Sequence, residues 1–174
     1  MARVLIVGLL MVALIAGAFL YYQQVYAYYT PVQAQDADVR LTNLVTEQAE
    51  PILYDGFEAI DADSSPIRYR ACFTTPISQA TLTETYIIRD DAEPLNAPGW
   101  FDCFDAAQIG EDLTTGNAIA FLGVENVAYG IDRLVAVYPD GRAYAWHQIN
   151  ECGEVVFDGN PTPEHCPPAP EGLN

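Results

Sequence analysis

Apolar residues fall along this chain in three patterns. From Val4 to Leu20 they are unbroken, VLIVGLLMVALIAGAFL, and Tyr21 and Tyr22 extend the run. At about 1.5 Å per residue such a helix is roughly 28 Å long, close to the thickness of a bilayer's hydrocarbon core. Further on, alternation with period two takes over. Ile67, Tyr69, Ala71 and Phe73 share one strand face, with Arg68, Arg70 and Cys72 on the other. Arg133–Tyr138 and Arg142–Ile149 alternate around Pro139-Asp140-Gly141, which predicts a β-hairpin with the glycine in the left-handed position. Val39, Leu41 and Val45 mark an earlier extended segment, Asp55-Gly56 a turn, Phe57–Ala62 a short strand and Ala118–Val124 a buried one.

Helical signals are few. Asp105 and Gln108 are spaced as a capping box before a short helix with Ile109 and Leu113 on one side, and Gly116 is placed to end it. Ser78 is a cap for a single turn, whereas Thr83–Ile88 is β-prone. Pro94, Pro98 and Gly99 force irregular chain, and the tail from Pro161 reads as a loop. The expected class is α+β, a mainly antiparallel sheet with one or two short helices behind a single N-terminal transmembrane helix. The expected divisions are an N-terminal flank 1–3, a membrane helix 4–22, a juxtamembrane tether 23–37 with a polar stretch from Thr30 to Ala37, a domain 38–160 and a Pro-rich tail 161–174.

The flanks of the apolar run set the expected topology. Tyr21, Tyr22, Tyr26, Tyr28 and Tyr29 form an aromatic belt of the kind found at headgroup level. Arg3 precedes the run, and no positive charge follows until Arg40, so the positive-inside bias puts the domain on the outer side. A cleaved signal peptide is the rival reading. The run exceeds a usual signal core, but Val25-Tyr26-Ala27 and Val32-Gln33-Ala34 offer small-residue cleavage motifs. Gly8, Ala13, Ala16, Gly17 and Ala18 offer a close-packing face to another helix, a feature common to many membrane spans.

Charge narrows the partners. All seven basic residues are Arg, and the part beyond the helix carries six of them against 24 acids, a net of −18. That surface repels phosphate backbones, which argues against nucleic acid, and it favours basic proteins or cations. An even count of four cysteines, Cys72, Cys103, Cys152 and Cys166, on an oxidising side of a membrane predicts two disulfides, with the sequence-local pairs Cys72–Cys103 and Cys152–Cys166 favoured among three connectivities. Zinc held by His147, Cys152, His165 and Cys166 is the competing use, but the spacing fits no compact zinc pattern and no C-x-x-C occurs. No metal and no cofactor are expected.

Candidate chemistry is sparse. Histidine ordinarily titrates near neutral pH, so His147 is a conceivable general base, yet no nucleophile is marked, and alternation turns it away from Trp146. Asp61, Asp63, Ser64 and Ser65, and again Asp90, Asp91 and Glu93, supply oxygen ligands without the spacing of a calcium loop. Arg68 and Arg70 are expected to pair with carboxylates from a common strand face or, more sharply, to form a buried anion site. Tyr129, Tyr138, Tyr144, Trp100, Phe101, Phe104 and Trp146 are expected mostly in the core.

Ser64–Phe73 (SSPIRYRACF), Ala97–Ala106 (APGWFDCFDA) and Ala128–Asn150 with Cys152-Gly153 resemble a family of small membrane-anchored alphaproteobacterial proteins carrying a domain of unknown function. The likeness runs over most of the chain, anchor included. It implies a bacterial inner membrane, with the N-terminus cytoplasmic and the domain periplasmic, and it brings no catalytic residues. Members have at times been labelled histidine kinases. Here there is no glycine-rich nucleotide box, no Lys, and no His on a long helix.

Two functions are therefore expected. The first is a non-catalytic membrane-anchored periplasmic interaction protein, an accessory subunit or assembly factor of an inner-membrane complex with an integral or basic periplasmic partner. The second is a small periplasmic enzyme or ligand-binding domain with a pocket near His147 and Arg68/Arg70.

Overall fold

A computed structural model describes residues 2–33 and 37–172. The apolar run forms α1 (Ala2–Tyr22), which continues as a π-helical turn over Gln23–Ala27. No residue of α1 is buried, and at its end Tyr22 stacks on Tyr26 at 5.9 Å. By length and composition it is able to cross a membrane, consistent with an anchor or a signal.

The strands are β1 (Thr30–Val32), β2 (Arg40–Thr42), β3 (Ala49–Pro51), β4 (Asp55–Asp61), β5 (Arg70–Thr74), β6 (Ile119–Ala128), β7 (Ile131–Val137) and β8 (Arg142–Ile149). Three short helices join them: α2 (Gln79–Thr85), α3 (Ala106–Thr115) and α4 (Glu151–Phe157). The main sheet is antiparallel throughout, in the order β1-β4-β5-β8-β7-β6, and β2 pairs with β3 in a separate ribbon. The class is α+β, as expected.

Period-two alternation gives the central strands two apolar faces, and both are covered. Tyr69, Ala71, Phe73, Val135, Val137, Ala143 and Ala145 meet Val39, Leu41 of β2, Ile52, and Leu82 of α2. Cys72, Leu134, Ala136 and Trp146 point the other way, into Phe101, Phe104, Ala106 and Ile109 of α3 and its approach. Trp146 is fully buried there. Tyr29 and Trp100 pack at the margin of this second core, where it meets the end of the long helix.

Local signals account for the ends of the helices. Ser78 accepts from the Thr81 amide at 3.2 Å, Asp105 from Gln108 at 3.1 Å and Asn150 from Gly153 at 3.0 Å. The capping box is only half formed, because the Gln108 side chain turns forward to Asp112. Gly116 ends α3 at φ 77°, and Gly141 closes the β7–β8 turn at φ 87°.

Several expectations are corrected. The strand opened by Pro66 begins instead with a 3₁₀ turn, Pro66–Arg68, because the proline fixes φ and lacks the N–H a ladder needs. Arg68 therefore does not share a strand face with Arg70. Asp55-Gly56 is the bulged start of β4, not a free turn. Val45 lies exposed in a turn. The β-prone Thr83–Ile88 is divided: α2 runs to Thr85, and only the following residues extend, with Ile88 bridged to Phe121. The expected polar stretch starts as β1, whose Thr30, Pro31 and Val32 pair with Asp61, Ile60 and Ala59. Residues 34–36 of that stretch, the Ala34 end of the second cleavage motif, and the ends of the N-terminal flank and of the tail lie outside the described residues. α4, within the Cys152–Cys166 loop, was not foreseen; there a Cβ on Gly153 would overlap the Gly130 carbonyl.

The cysteines form the two sequence-local pairs, Cys72–Cys103 and Cys152–Cys166, with Cα atoms 6.3 and 5.7 Å apart. Loop closure assigns the two bonds roughly 4 and roughly 3 kcal/mol of stabilisation. Intact-mass analysis after alkylation should find no reactive thiol in the native protein and four after reduction in denaturant. Cys103→Ser combined with Cys72→Ser should lower the urea midpoint more than Cys152→Ser combined with Cys166→Ser.

Candidate functional site

Arg70 is the second residue after the 3₁₀ turn and opens β5, facing the core of Trp146 and Phe104. It is 4% exposed. Its guanidinium donates to four carbonyls: Nε to Leu95 at 2.6 Å, Nη1 to Ile67 at 2.8 Å and Tyr69 at 2.6 Å, and Nη2 to Asn96 at 3.1 Å. It also lies 5.8 Å over the Phe104 ring. Burial lowers its pKa to about 10, with Tyr29 and Asp61 opposing, so it is still a cation at neutral pH. Among the described residues the expected carboxylate pairing is absent. Backbone dipoles take its place, and the loop through Leu95 and Asn96 is thereby fastened to the turn at Ile67.

That loop continues to Trp100, which joins the domain to the long helix. Its indole Nε1 donates to the Val25 carbonyl at 2.6 Å. Its ring stacks on Tyr26 at 6.2 Å and meets Tyr29 edge-on at 6.0 Å. Arg68 reaches the same place from the 3₁₀ turn, its guanidinium 5.9 Å from the Tyr28 ring centre and 5.6 Å from that of Tyr29.

His147, on β8, faces away from this junction. It is 6% exposed and stacks on Tyr69 at 4.6 Å. Its Nδ1 lies 2.6 Å from the Pro66 carbonyl, and its Nε2 accepts from Arg133 Nε at 3.0 Å. These partners fit one neutral tautomer, with the proton on Nδ1 donated to the carbonyl. Desolvation, with the Arg133 charge, lowers the pKa to about 4. Both ring nitrogens are committed, so His147 is held as structure. The expected grouping of His147 with Arg68 and Arg70 in one pocket is not formed.

The sequence reading missed a second polar cluster. Asp132 is buried; its Oδ2 accepts from Arg89 at 2.8 Å and its Oδ1 from the Asn126 amide at 3.0 Å and Asn150 Nδ2 at 2.7 Å. Asn126, at φ 50°, accepts in turn from the Gly130 amide. The cluster ties the β6–β7 turn to the start of α4. Its only sequence trace was Asp132 standing between Ile131 and Leu134 in an apolar strand.

The remaining candidates are accounted for separately. Cys152, His165 and Cys166 lie within 4.8 Å of one another, but the two sulfurs are bonded, so the oxidised chain offers no thiolate there. His147 is not part of that group. Asp61 bonds the Ala62 amide, and its pKa is raised by burial, while Asp91 pairs with Arg89, whose hydrogen bond holds its pKa down. An open apolar groove of about 540 Å³ is lined by Pro66, Ile67, Tyr129, Ile131, Ile149 and Phe157, with neither His147 nor Arg68 or Arg70 on its wall.

An antiparallel α+β domain with two disulfides, fastened through an aromatic and arginine junction to an apolar helix, is the class these features define. The chain belongs to the family of unknown function DUF6446, which matches residues 39–167. The match takes in both disulfides, Arg68, Arg70 and His147 and leaves the long helix outside it. No curated protein and no solved structure matches the chain.

Arg70→Gln should cost about 3 kcal/mol in urea unfolding, since it strands buried carbonyls. His147 binds its proton more weakly folded than unfolded, so its contribution is full above pH 6.5 and is lost as pH falls from 6.5 toward 4. That loss is worth up to about 3 kcal/mol. Urea midpoints should therefore drop between pH 7 and 5, above the carboxylate range, and His147→Gln should flatten that interval.

Proposed function

We propose that this chain is a non-catalytic interaction protein of a bacterial inner membrane, held by a retained single-pass anchor with its N-terminus cytoplasmic and its domain periplasmic, as an accessory subunit or assembly factor. The observation that carries the reading is the placement of charge. Asp132 is the single buried acid among the described residues, and most of the others stand exposed without a basic partner. A surface of this kind attracts a basic face on a second protein and speeds its encounter.

Two further features support it. The polar groups that chemistry would use are consumed internally: His147 by Pro66 and Arg133, Arg70 by four carbonyls, and the thiols by each other. The Trp100–Val25 hydrogen bond and the Tyr26 stack favour retention of the helix, because cleavage after Ala27 would remove both partners. Two disulfides and Arg3 before the apolar run favour the domain's placement outside.

Extraction of native membranes in a gentle detergent should bring a stoichiometric basic or integral partner at about 0.05 M salt and release it by about 0.5 M, as screening shortens the reach of surface charge. Protease added to intact spheroplasts should reach the domain. Recovery of the full chain without a companion at low salt, or protection of the domain, would count against the proposal.

A further inference from the structure

The six arginines of the domain differ in what they hold. Arg40 and Arg142 pair with nearby aspartates, Arg89 with Asp91 and Asp132, Arg133 with His147 and the Asp38 carbonyl, and Arg70 with four carbonyls. Arg68 donates no side-chain hydrogen bond to any described residue. Its Nη1 is buried without a partner, the single side-chain atom among the described residues in that condition. In a domain of net charge −18 this is not for want of carboxylates. Instead the cation sits over two tyrosine rings, which stabilise its charge and leave its N–H groups unclaimed.

Its place in the chain suggests the missing acceptor. Tyr28 and Tyr29 directly follow the π-helical turn that ends at Ala27. When the apolar helix fills the hydrocarbon core, these rings lie in the headgroup layer, which extends roughly 5–7 Å beyond it. The acceptor groups concentrated at that level are lipid phosphates, and a planar guanidinium fork matches a phosphate in two parallel hydrogen bonds. The phosphate is shared by zwitterionic and anionic lipids, so the site does not depend on an anionic surface that would repel the rest of the domain.

We infer that Arg68, seated on Tyr28 and Tyr29, binds the phosphate of a phospholipid headgroup in the leaflet facing the domain. The inference rests on the reading of Ala2–Ala27 as a retained anchor. The lipid fastens the 3₁₀ turn to the membrane surface beside the contact that Trp100 makes with Val25.

The test uses the full-length protein, purified in mild detergent from mixed phosphatidylethanolamine and phosphatidylglycerol and read by native mass spectrometry for bound phospholipid. Wild type should hold lipid of either headgroup, and R68Q should hold about tenfold less, the usual consequence of losing a charge-assisted pair. R40Q, altered at an arginine already paired with Asp38, should match wild type. R68K keeps the charge without the fork and should lose retention severalfold at an unchanged melting temperature, which decides the matter if R68Q fails to fold. Equal retention by wild type and both Arg68 variants would overturn the inference while leaving the anchor intact. Binding of inorganic phosphate to lipid-free wild type, with displacement of lipid at millimolar phosphate, would assign the site to a soluble anion and overturn it as well. Release of the protein from membranes by alkaline carbonate would refute the anchor itself, a distinguishable result.

Discussion

The organisation of this domain rests on one buried cation. Taking a guanidinium out of water is costly, and among the described residues no carboxylate hydrogen-bonds Arg70 to offset it. The four carbonyls it gathers come from two separate stretches, the 3₁₀ turn and the Leu95–Asn96 segment. A segment broken by Pro94, Pro98 and Gly99 has little propensity to order itself, and the hydrogen bonds supply the order. Two residues along β5, Cys72 faces the same way and bonds Cys103, so the irregular stretch is fastened near both ends. Trp100 lies between those fastenings, which is why its indole is placed to meet Val25.

Much of the fold was legible in the sequence because it follows from local rules. The β7–β8 hairpin, the Asp105 cap, the Gly116 stop and the alternating faces of β5 all need only nearest-neighbour chemistry. The long helix needed only its unbroken apolar run. The misses have a different character. Pro66 turned an apparent strand start into a 3₁₀ turn, and β1 forms only because β4 is there to receive it. α4 is held by Asn150 and by the close approach of Gly130 and Gly153, and that contact is between distant residues. Candidate chemistry was legible as residue types but not as partners. Arg68 and Arg70 were singled out, yet one is saturated and the other bare, a distinction set by loops that no periodicity records.

The polar interior is built as two closed networks. Tyr69, His147 and Arg133 form a stack with a committed imidazole, and Asp132 sits in a closed set of hydrogen bonds. Each of these groups has its partners within the domain. Such networks favour one arrangement of strands and turns.

The outermost strand has a consequence of its own. In β1, Pro31 occupies the middle position at the sheet's edge. A proline there offers no N–H to an incoming strand, so the edge is a poor template for sideways growth. A blunted edge of this kind lets copies of the domain be crowded without joining strand to strand.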